Sequence, residues 1–89
     1  MSELSDIRVE IDKIDRRIVE LYEQRLQLTS QVAEYKMKTG KAVYDPEREA
    51  QKLDTLAALA SSERVAGQVR KLFQTIMDLS KEQQRELMS

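Results

Sequence analysis

The sequence predicts an all-α fold of three helices, one very long, one short and one of intermediate length. Three observations predict it. The 89 residues are 40% hydrophobic and 35% charged, with two glycines, one proline and one phenylalanine, a balance that suits long amphipathic helices rather than sheets. Apolar residues recur at alternating steps of three and four along the first part of the chain, the spacing of a helix face. Helix-breaking or helix-starting residues fall at Gly40, at Asp45-Pro46 and at Ser61-Ser62, which divides the chain into three helical segments. A chain this short makes one domain, residues 1–89, with a limited core of its own, so association with a second copy would help it.

The first helix is expected from about Ser5 to Thr39. Leu4, Ile7, Ile11, Ile14, Ile18, Leu21, Leu28, Val32 and Tyr35 follow heptad spacing, and Gly40 supplies the stop. At 1.5 Å per residue such a helix is about 50 Å long, too long for a compact monomer of this size. The second helix starts at Asp45 and Pro46, because aspartate caps free amides and proline fits the first helical position. It carries Ala50, Leu53, Leu56, Ala57 and Ala60 inward and ends near Ser61-Ser62. The third runs from about Glu63 to Leu87, capped by Ser61 or Ser62, with Val65, Val69, Leu72, Phe73, Ile76, Met77 and Leu87 on its buried side. No internal repeat or low-complexity stretch interrupts this order.

Composition also excludes chemistry. With no cysteine there is neither a disulfide framework nor a thiolate metal site, and with no histidine the commonest general base and metal ligand are both missing. The net charge of −1 points to no nucleic-acid or anionic-membrane partner. No apolar run approaches the length of a membrane span, and the start MSELSDIRVE lacks the basic and apolar regions of a signal peptide, so a cytoplasmic protein is expected.

Several residues break the amphipathic pattern. Between Leu21 and Leu28 the heptad asks for an apolar residue at position 25, and the sequence has Arg25. A guanidinium in a seam needs an anion, from the protein or from a ligand; the alternative is a polar residue that fixes register or oligomer state. Lys36 lies eleven residues later, about 16 Å along the axis on nearly the same side, so the two side chains could lean together on one small dianion. Arg8 flanks the same seam about 25 Å from Arg25, out of reach around a single small ligand unless it comes from another chain. Taken singly, Arg8 and Lys36 also read as solvated charges beside a seam. Arg48 and Glu49 stand at the mouth of the second helix, as solvated charges or as part of a site; macrodipole pairing suits the glutamate there and suits the arginine poorly. Ser80 and Gln84 continue the face of Phe73 and Met77 and put hydrogen-bonding groups where apolar residues are expected. A fraying polar helix end is the plainer account of them.

In that order and at those spacings, Arg8, Arg25, Lys36, Asp45-x-x-Arg48-Glu49, Ser80 and Gln84 resemble the all-helical class of chorismate mutases, over about Leu4 to Gln84. The resemblance implies an entwined homodimer with two shared sites, each taking Arg8 from one chain and the other residues from its partner. It implies conversion of chorismate to prephenate in aromatic amino acid biosynthesis, an intramolecular rearrangement that needs no nucleophile, cofactor or metal. Arg8, Arg25 and Lys36 would clamp the substrate carboxylates, Lys36 and Gln84 would donate to the ether oxygen, and Glu49 would accept the ring hydroxyl. Arg48 and Ser80 would complete the polar wall, Val32 and Met77 the apolar one, with Asp45 offering a backbone contact as well as a cap. Two alternatives stay open: a lyase of the same fold that releases pyruvate from isochorismate, and a non-catalytic regulatory or dimerising module.

Overall fold

The computed structural model describes residues 3–89. Helix α1 runs Glu3–Thr39, α2 Pro46–Ala57 and α3 Glu63–Met88. Each boundary has a local cause. At the end of α1, Gly40 adopts φ 72°, and the Lys41 amide returns to the Lys36 carbonyl at 3.2 Å, the left-handed closure that glycine permits at least cost. Acidic residues in the first turn of α1 and Lys36 and Lys38 in its last match the sign of the helix dipole. Asp45, extended at φ −125°, accepts from the Arg48 amide at 3.1 Å, and Pro46 opens α2 behind it.

The second helix is shorter than expected. It ends at Ala57 rather than near Ser61-Ser62, because the amides of Leu59 and Ala60 turn to the carbonyls of Leu56 and Ala57 at 3.1 Å each, three residues back, which tightens the chain out of α-geometry. Ser62 then caps α3, its Oγ accepting from the Val65 amide at 3.2 Å. The result is a helix of 37 residues with α3 laid against it and α2 laid against α3; α1 and α2 do not pack on each other. An exposed ion pair, Arg70 to Asp54 at 2.9 Å, ties α2 to α3.

The chain buries little of itself. Among the described residues only Ala33, Ala57 and Met77 are buried apolar side chains, and no large side chain is fully covered. The radius of gyration is 16.6 Å against about 12 Å for a compact domain of this length, and the long axis is 57 Å. The face that α1 turns to α3 is not the heptad stripe but a neighbouring row. Tyr22, Leu26, Thr29, Ala33 and Lys36 are covered or half-covered, whereas the stripe is open, from Val32 at 41% exposed to Leu28 at 61%. One residue of offset is about 100° around a helix, so the two rows are adjacent but distinct. Of the residues expected inward on the other helices, Ala50, Val65, Leu72 and Leu87 are exposed. Helix α2 has one neighbour and α3 two, and these four lie outside the strips that those contacts cover.

Candidate active site

Where the C-terminal half of α1, the loop before α2, the start of α2 and the C-terminal half of α3 meet, they enclose a cavity of about 170 Å³. Its wall takes Arg25, Thr29, Val32 and Lys36 from α1, Val43 and Asp45 from the loop, Arg48, Glu49 and Lys52 from α2, and Met77, Ser80, Lys81 and Gln84 from α3. Nine of the ten residues singled out in the sequence therefore line one space. Arg8 does not: it lies on the exposed N-terminal part of α1, outside the cavity.

Helix geometry explains the convergence. Arg25, Thr29, Val32 and Lys36 are spaced four, three and four apart and fall along one side of α1; Met77, Ser80, Lys81 and Gln84, at steps of three, one and three, share a side of α3. The Asp45 cap fixes where α2 begins, and so where Arg48 and Glu49 project. Gln83 fastens the two long helices beside the cavity: its Oε1 accepts from the Thr29 hydroxyl at 2.6 Å, and its Nε2 donates to the Leu26 carbonyl at 3.0 Å.

The polar groups divide into held and available. Lys36 is half-buried and donates one N–H to the Val43 carbonyl at 2.8 Å, which leaves two of its three donors for something in the cavity. The Asp45 carboxylate is occupied by its capping role. Glu49 and Lys81 form an ion pair at 3.0 Å with side chains 17% and 16% exposed. Lys81 also reaches Asp78 at 3.3 Å and stands 4.6 Å over the Tyr44 ring. Hydrogen bonding to Glu49 holds the Lys81 ammonium above its ordinary pKa, against the opposing effect of burial. Asp78 is held below the usual carboxylate value, first by the Gln74 amide and then by Lys81.

Gln84, 5% exposed, donates from Nε2 to the Ser80 hydroxyl, itself 6% exposed, at 3.1 Å. Its Oε1 is buried without a hydrogen-bond partner. An orphaned buried acceptor costs about 1–3 kcal/mol. Half a turn of the amide exchanges the two atoms without changing its shape: the Ser80 hydroxyl then donates to Oε1, and the unpartnered position holds Nε2, whose two N–H donors are left for a ligand acceptor.

With five cationic side chains against two carboxylates, the wall carries a formal charge of about +3. Such a space suits a small polyanion, with Val32 and Met77 offering apolar surface. Sequence reasoning missed four wall residues. Thr29 follows Arg25 by four, Lys52 follows Arg48 by four, and Lys81 follows Met77 by four, so extending each face by one turn would have found them. Val43 is in a loop and carries no periodic signal.

The chain is similar to known proteins along most of its length. The family described as chorismate mutase type II matches residues 7–85. The chorismate mutase of Methanocaldococcus jannaschii is 33% identical over 87 residues, 97% of this chain and 88% of that protein. The T-protein of Haemophilus influenzae is 47% identical over 49 residues, 55% of this chain and 13% of that protein. A bifunctional chorismate mutase/prephenate dehydratase of Aquifex aeolicus is 41% identical over 49 residues, 55% of this chain and 14% of that protein. The chain thus spans about an eighth of the T-protein and of the bifunctional relative and most of the Methanocaldococcus jannaschii one, and it belongs to the chorismate mutase type II family.

Proposed function

We propose that the chain converts chorismate to prephenate in a homodimer with two shared sites. The observation that carries this reading is the convergence of Arg25, Lys36, Arg48, Glu49, Ser80 and Gln84 on one small cationic cavity. The reaction breaks an ether C–O bond and forms a C–C bond within one molecule. The protein supplies a bound, compact conformer and donors for the oxygen as it gains negative charge. Arg25 and Lys36 hold the two carboxylates with Arg8 of the partner subunit. The free donors of Lys36 and the rotated amide of Gln84 reach the ether oxygen, and Glu49 accepts the ring hydroxyl. Arg48 and Ser80 complete the polar wall, and Val32 and Met77 press on the apolar side of the substrate.

What the single chain leaves open supports the homodimer. The stripe from Leu4 to Tyr35 is exposed along the whole of α1, and an apolar groove of about 550 Å³ runs between α1 and α3, lined by Ile18, Leu21, Leu72, Phe73, Ile76 and Leu79 among others. A second α1 covers both. Antiparallel pairing centred near Ile18 sets position 8 of one chain level with about position 28 of the other, beside the cavity, which solves the reach of Arg8 along the helix.

Ultraviolet loss of chorismate, with the product identified, tests the reading. Prephenate is the expected product. Pyruvate release from isochorismate with no action on chorismate would replace the mutase by the lyase, and turnover of neither would leave a binding or regulatory module.

A further inference from the structure

The end of the cavity formed by Glu49 is not electrostatically bare. Lys81 Nζ lies 3.0 Å from Glu49 Oε2 and 3.3 Å from Oε1, and Gln74 Nε2 approaches Oε1 at 3.4 Å. We infer that Lys81 is a specificity-determining residue: seated on Glu49, it makes the site select a ring hydroxyl over a ring amine in an otherwise identical dianion. The inference rests on the proposed function and deepens it.

A carboxylate has about four acceptor positions. The contacts from Lys81 and Gln74 leave capacity for one more donor, so Glu49 can still take a hydroxyl. Its charge, however, already faces the Lys81 ammonium at 3.0 Å. An unpaired carboxylate would favour an ammonium over a hydroxyl, through the stronger charge-assisted bond. With Lys81 in place the incoming ammonium meets a like charge instead, in a partly desolvated space where such repulsion is poorly screened.

Lys81 is not free to withdraw. Asp78 holds it at 3.3 Å, the Tyr44 ring lies 4.6 Å beneath it, and its side chain is 16% exposed. The other charges facing this end do not compensate. Arg48 and Lys52 on α2, and Arg25 and Lys36 on α1, are cationic and line the same space; Asp45 caps α2, and Asp78, its side chain 56% exposed, is outside the cavity wall and screened by water.

The test compares kcat/KM for chorismate with that for the analogue in which an amine replaces the ring hydroxyl. It uses the wild-type protein, Lys81→Met, which keeps length without charge, and Lys81→Arg, which keeps charge. Below the pKa of the analogue's amine, the hydroxyl-to-amine ratio should fall at least about tenfold in Lys81→Met and hold in Lys81→Arg. In the wild type, the same ratio should fall as pH rises through the amine's own titration, because the neutral amine no longer meets repulsion. A folded Lys81→Met with a ratio within about twofold of wild type overturns the inference. If circular dichroism shows that Lys81→Met does not fold, the wild-type pH series decides alone, and a ratio that stays flat overturns it. A wild type that turns over neither compound ends the proposed function and this inference together, whereas an active wild type with unmoved selectivity ends only the inference.

Discussion

At position 84 a buried amide has its nitrogen on Ser80 and its oxygen unmatched, and rotating it pairs the oxygen with Ser80 but leaves two N–H donors that only a ligand acceptor would satisfy. Gln84 is therefore proposed to stabilise the ether oxygen. Gln84→Glu tests this through pH. An ionised carboxylate cannot donate and repels an oxygen gaining negative charge, whereas the protonated acid donates. Activity of Gln84→Glu should thus be low at neutral pH and rise as pH falls; a profile flat and near wild type would remove residue 84 from the reaction. Lys81 gives a second pH signature, in stability. Its folded pKa is raised from 10.5, so its contribution is complete below that value and is lost as pH rises through the folded pKa. Thermal melts should show wild-type stability falling above about pH 10.5 more steeply than that of Lys81→Met, in which the ion pair is already gone.

At the scale of elements, two N-caps with the same local chemistry separate fold from function. Asp45 and Ser62 each accept from the amide three residues on, at 3.1 Å and 3.2 Å, and replacing either by alanine should cost about 1 kcal/mol. Only Asp45 begins the helix that carries Arg48 and Glu49. Asp45→Ala should therefore raise KM beyond what its lowered melting temperature explains, while Ser62→Ala should lower the melting temperature and leave KM per folded protein unchanged. These caps were legible in the sequence because they depend on neighbours within a turn: Gly40, Asp45-Pro46 and Ser61-Ser62 marked the breaks between the three helices. The early end of α2 at Ala57 was not legible, since Ala58 to Ala60 have no breaker and the switch to shorter hydrogen bonds is set by the turn toward α3. The site was legible where a charged or polar residue interrupted an apolar row, as at Arg25, Ser80 and Gln84. Lys81 and Lys52 interrupt no apolar row, so only their four-residue spacing from Met77 and Arg48 marked them.

The whole molecule is a 57 Å rod with a thin core, and the row of side chains that spacing made most obvious is the row the single chain leaves uncovered. Heptad spacing made the stripe visible, but spacing within one chain does not say what lies across from it; α3 takes the adjacent row instead. In the proposed homodimer, burial of Leu4 to Tyr35 against a second α1 accounts for the stripe, for the excess radius and for the distance of Arg8 from the rest of the site. That proposal gives each dimer two sites, each taking Arg8 from one chain and Arg25 from the other. Homodimers of Arg8→Ala and of Arg25→Ala should both be nearly inactive, because every site lacks one cation. Mixed and allowed to exchange subunits at random, half of the dimers become heterodimers. In each of these one site collects both alanines and the other collects both arginines, so about a quarter of wild-type activity should return. Both defects acting within one chain would leave every site broken and restore nothing. Exchange is checked independently by mass spectrometry of the mixed dimers, so an inactive mixture with heterodimers present would remove Arg8 from the partner's site and leave the cavity of a single chain to bind the substrate alone.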